Sequence, residues 1–140
     1  MSIQSVLLPV FAQAALTFCL LFWMARERAR AVRAGQFDMA AYMDEGRGWP
    51  KRATLINNCY KNQFELPVLF FALVPLELLT HQAGLFFVAL AWVFVATRIL
   101  HAWFYVQGNL RMRAAFFAVG VMILFLAWLI FALNILFASL

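Results

Sequence analysis

Four stretches of this chain are too apolar to face water, and that leaves few folds open to it. They cover about residues 6–25, 54–79, 85–106 and 114–140. A helix needs about 20 residues to cross the hydrocarbon core of a bilayer. Each stretch is that long once the polar first turns of the second are counted. Inside lipid a helix satisfies its own backbone donors and acceptors, which irregular chain cannot do. Composition agrees: 66% of the residues are hydrophobic and 12% charged, against about half and a quarter in a soluble domain. A soluble fold of 140 residues could not hide so much apolar surface. The expected fold is an all-α membrane protein, a single four-transmembrane-helix bundle over residues 1–140, with a charged loop at about 26–53.

Charge sets the orientation. Seven of the eleven Lys and Arg residues fall between Arg26 and Arg52, and two more, Arg111 and Arg113, sit between the third and fourth stretches. The N-terminal segment and the short link at about 80–84 hold none. Basic loops stay in the cytoplasm, so the first and third loops are expected there, with both termini outward. Topology accounts for the net charge of +5 without a nucleic-acid partner. The first stretch has no basic residue before it, and its arginines follow, which is the reverse of a cleaved signal peptide. It also has no acidic residue of the kind that four-span multidrug transporters use. The long loop contains Gly35, Gly46, Gly48 and Pro50 and reads as irregular in its middle, with a short amphipathic helix at about 26–33. Cys19 and Cys59 lack a partner spacing for a disulfide or a zinc site.

Two polar stripes interrupt the apolar pattern. If the second span is one helix, Asn57, Asn58, Lys61, Asn62 and Glu65 share an arc of roughly 140°. Arg98, His101, Tyr105 and Asn109 share roughly 80° at the end of the third span. Glu65 and Arg98 then lie roughly 15 Å deep, where an unpaired charge costs about 3 kcal/mol. An ion pair between them is expected, within a subunit or across an interface. Polar side chains also join membrane helices without further purpose. Nine of them converging beside a basic loop point instead to a site for an anionic ligand, within reach of Arg111, Arg113 and the arginines of 26–33. His101 has no second ligand at metal spacing, so no metal site is expected. Glu77 falls on another face and is expected to snorkel or pair locally. Pro67 and Pro75 are expected to kink the second span.

The pattern Asn62-x-x-Glu65-x-Pro67, then Arg98-x-x-His101-x-x-x-Tyr105 and Arg113, resembles the MAPEG family, the membrane-associated proteins of eicosanoid and glutathione metabolism. The likeness covers nearly the whole chain and is nearest to a bacterial-type branch, which implies the bacterial inner membrane. It implies a homotrimer in contact with membrane lipids, with glutathione as co-substrate between neighbouring subunits and a lipophilic small molecule arriving from the bilayer. By position, Asn62 and Glu65 would hold glutathione, with Asn58, Arg98, His101, Tyr105, Asn109 and Arg111 around the same pocket. Arg113 is the best placed arginine to stabilise the thiolate, with Arg111 the alternative. A cationic neighbour lowers a thiol's pKa and so makes the nucleophile. The implied activity is a glutathione-dependent transferase or peroxidase.

The chain departs from the best-known members in three places. Asn58 stands where they carry an arginine, Asn109 where some carry a tyrosine, and Pro67 follows Glu65 more closely. These departures keep a second expectation open, a non-catalytic lipid-binding or structural trimer of the same fold.

Overall fold

The structure is a computed structural model, and it describes residues 2–137. Six α-helices are found among them: α1 (Ile3–Arg33), α2 (Met39–Glu45), α3 (Lys51–Lys61), α4 (Leu66–Leu79), α5 (Leu85–Val106) and α6 (Leu110–Phe137). A single 3-10 turn, Asn62–Phe64, joins α3 to α4. Four spans are long and apolar enough to cross a membrane: α1, α3 with α4, α5 and α6. The chain is an integral, multi-pass membrane protein. The last residues of the fourth expected span, 138–140, lie outside the described residues.

Helix α1 corrects one boundary. The segment 26–33 is not a separate amphipathic helix but the last two turns of α1. Its alanines and arginines are good helix formers, and no glycine or proline intervenes until Gly35. There the chain turns at positive φ (65°), and Gln36 N donates to Ala31 O at 2.9 Å, a glycine-type helix stop. The following loop is more ordered than its composition implies. Asp38 caps α2 through Oδ1, which accepts from Ala41 N at 3.0 Å, and Asp38 N donates to Gly48 O at 3.0 Å. A side chain at Gly48 would run into the Asp38 carbonyl. Phe37 and Trp49 stack across this closed loop at 4.2 Å.

The second span corrects a larger expectation. It is broken rather than kinked. Proline has no N–H, and its ring excludes the carbonyl four residues back. Pro67 therefore ends the helical ladder coming from α3, and the chain passes through Glu65 at φ −95°, ψ −96° before α4 begins. Pro75 stays inside α4.

The bundle packs chiefly through α5 against α6, with α1 lying on α3 and α5. The core is apolar and aromatic, with Phe70, Phe94, Leu73 and Val95 almost fully buried. Gly120 lets α6 approach α5: a Cβ there would stand 3.0 Å from Thr97 Oγ1. A second, smaller cluster joins Leu20, Cys59 and Ala102 beneath the loop end of the bundle. Gly120→Val should force α5 and α6 apart and cost about 1–3 kcal/mol. Its thermal unfolding midpoint in detergent should fall by several degrees, and an unchanged midpoint would show that the contact is slack.

Candidate functional site

Arg98 is the centre of the polar end. It is fully buried, at 0% exposure, although it comes from the third span of an apolar chain. At the break in the second span, Asn62 O accepts a hydrogen bond from Arg98 Nη2 at 3.2 Å. Arg98 Nε and Nη1 are buried with no partner. The guanidinium lies 5.8 Å from the Phe117 ring centroid. No carboxylate of the same chain pairs with it among the described residues; the salt bridges found join Glu27 to Arg30 and Arg52, and Glu45 to Arg47. The expected Glu65–Arg98 pair is thus not formed within one subunit. Glu65 is exposed, near enough for its charge to act on Arg98 but without a salt-bridge contact to it.

His101 lies one turn further along α5 and is 3% exposed. Its Nδ1 stands 2.8 Å from Arg113 O. A carbonyl can only accept, so Nδ1 carries a proton, and in the neutral ring Nε2 holds the lone pair. That Nε2 is buried and has no partner. The bond also ties α5 to the first turn of α6. Tyr105 follows at helical spacing, its ring 5.6 Å from that of His101. The Arg113 guanidinium lies over the Tyr105 ring at 4.4 Å, within cation–π range. Arg98, His101, Tyr105 and Arg113 therefore form one cluster.

The remaining candidates are placed less centrally. Asn62 Nδ2 donates to Asn58 O at 2.9 Å, which closes the end of α3, and both residues are half-buried. Asn109 Oδ1 accepts from Met112 N at 3.2 Å and so caps α6. Arg111 is exposed and its side chain makes no hydrogen bond, ion pair or ring contact among the described residues, whereas Arg113 is held against Tyr105.

Three further polar links are not legible in the sequence. Gln13 of α1 is 0% exposed, and its Nε2 donates to Gln63 Oε1 at 3.0 Å. Gln63 Nε2 in turn donates to Cys59 O at 3.2 Å, so two amides tie α1 to the helix break. Glu27 is nearly buried between Arg30 (3.0 Å) and Arg52 (3.6 Å). Arg28 donates to Asn57 Oδ1 at 2.9 Å and lies 4.8 Å from the Trp49 ring centroid. The available signals were a lone glutamine in an apolar span and a lone glutamate among arginines.

A family model described as the MAPEG family matches residues 6–133. The chain belongs to the MAPEG family. No curated protein and no solved structure matches it. In this MAPEG chain the Asn62, Glu65 and Pro67 motif marks the helix break, and the Arg98, His101 and Tyr105 motif supplies the wall opposite.

The amide link gives a prediction. Gln13→Leu leaves a buried Gln63 amide without its donor and should cost about 1–3 kcal/mol. Gln13→Leu with Gln63→Leu should cost less than the sum of the single changes in a double-mutant cycle. Strict additivity would show that the two amides do not interact.

Proposed function

We propose that this protein is a membrane-embedded glutathione-dependent transferase or peroxidase acting on lipophilic electrophiles, and that it works as a homotrimer with the polar end facing the cytoplasm. The observation that carries the reading is Arg98. A fully buried guanidinium with two N–H positions unpartnered requires an acceptor that a single chain does not supply. A carboxylate of a bound peptide thiol meets that need, as does Glu65 of a neighbouring subunit. Both fit a pocket shared between subunits.

Roles follow from position. Arg98 holds an anionic group of glutathione, and Asn58, Asn62, Glu65, Asn109 and Arg111 surround it. Arg113, oriented on Tyr105, stabilises the thiolate. His101 Nε2 offers a lone pair to a thiol or an ordered water. The thiolate sulfur then attacks an electrophilic carbon and expels its leaving group, or attacks the terminal peroxide oxygen, releasing the alcohol and leaving glutathione as its sulfenic acid, which a second glutathione converts to the disulfide with loss of water. The hydrophobic partner has an approach beside the break. An apolar groove of about 390 Å³ lies between α4 and α6, lined by Leu66, Leu69, Val121, Leu124, Phe125 and Trp128. It begins at the residue following Glu65.

A non-catalytic lipid-binding trimer is the second reading, favoured by Asn58 and by Asn109, whose side-chain carbonyl is already engaged in capping α6. Glutathione-dependent turnover of a general lipophilic electrophile by the purified protein separates the two. Arg113→Ala should lower turnover by about 10²-fold or more, with the assembly size unchanged by light scattering. Unchanged turnover would remove Arg113 from the mechanism. Absence of any thiol-dependent turnover, with phospholipid copurifying, would favour the second reading.

A further inference from the structure

The opposite end of the bundle holds a second polar constellation that the thiol chemistry does not use. Glu77, expected to snorkel or to pair locally, does neither. It is 3% exposed and has no hydrogen bond or ion pair to its side chain among the described residues. It lines a half-open cavity of about 90 Å³ together with Gln82, the exposed Asn134 and apolar residues of α5 and α6.

The local fold explains the grouping. Helix α4 stops at Thr80, and His81 turns the chain at positive φ (58°). Gln82 N and Ala83 N then donate to Glu77 O at 2.9 and 3.2 Å. The Gln82 and Glu77 side chains line the same cavity. Gln82 Oε1 is buried and has no donor. Asn134 of α6 stands at the mouth. Two acceptors from α4 and its turn, with an amide from α6, thus converge on one small space.

Charge makes the grouping costly unless something enters it. No Lys or Arg occurs between Lys61 and Arg98, before Arg26, or after Arg113. No lysine or arginine therefore stands at this end of the four spans, and the one basic side chain in the turn beside Glu77 is His81. The carbonyl end of α4 and the amide end of α5 meet here, so their dipoles offset one another. A buried carboxylate either takes up a proton or keeps its charge against a cation, and no Lys or Arg of the chain is placed to be that cation.

We propose that Glu77, Gln82 and Asn134 form a site for one small monovalent cation of the sodium or potassium class. Hard cations take carboxylate and amide oxygens, which are the groups present. A single negative charge in an apolar setting matches a single positive one. The site lies within one subunit and stands apart from the glutathione reading.

The test compares thermal unfolding of the purified protein in lipid nanodiscs, in sodium, potassium and N-methylglucamine chloride at equal ionic strength. A ligand that binds only the folded state raises the midpoint in a saturable way. Sodium or potassium should raise it by a few degrees over N-methylglucamine, and Glu77→Gln should abolish the difference while leaving glutathione binding unchanged. Sodium-23 line broadening on the unmodified protein, with Gln82→Ala as a second variant, covers the case in which Glu77→Gln does not fold. Equal midpoints in all three salts without line broadening would overturn the proposal and leave Glu77 neutralised by a proton. A cation effect that survives both substitutions would also overturn it.

Discussion

A guanidinium buried in an apolar bundle is the constraint around which the polar end of this protein is arranged. Arg98 cannot shed its charge as a carboxylic acid can, and leaving it unpaired in a dry setting is expensive. The chain gives it one oxygen, the Asn62 carbonyl, and the face of Phe117. It leaves Nε and Nη1 without acceptors. Such an arrangement is poorly suited to holding helices together, since an apolar residue would do that at lower cost. It suits a site completed by another molecule or another subunit.

The helix break is the other half of that constraint. Glu65, at the break before Pro67, acts on Arg98 through its charge but makes no direct pair with it in this chain. The break turns a backbone carbonyl toward Arg98 and leaves Glu65 exposed on the outside of the subunit, able to meet a neighbour or a ligand. The buried link from Gln13 to Gln63 holds the break against α1. The bond from His101 to the Arg113 carbonyl fixes the first turn of α6 across from it. Substrate chemistry would thus take place between two elements whose separation is set by polar contacts within an apolar bundle.

Much of this was legible in the sequence, because lipid imposes simple rules. Apolar length identified the spans, and helical spacing brought Arg98, His101 and Tyr105 to one face, where the structure also groups them. The break was not legible from the helical wheel, which assumes that the helix continues; Pro67 was the clue, but a proline in a membrane helix is compatible with either a kink or a break. The expected pairing of Glu65 with Arg98 inside one chain is not formed. Charge marks no boundary in helix α1, because nothing between residues 25 and 33 stops a helix. Gln13 and Glu27 were passed over because a single polar residue has no periodicity of its own, and only the fold shows what it meets. The sequence separated Arg111 from Arg113 only weakly, two residues apart in one turn; the contact with Tyr105 distinguishes them.

The central claim is that the unsatisfied cationic end binds a peptide thiol and ionises it. Calorimetric titration of glutathione into the detergent-purified protein, with thiolate absorbance followed in parallel, tests it most directly. The account predicts saturable binding, with the thiolate appearing at a pH where free glutathione is still protonated. No heat and no thiolate signal at millimolar glutathione would contradict it and leave Arg98 to be satisfied by another anion.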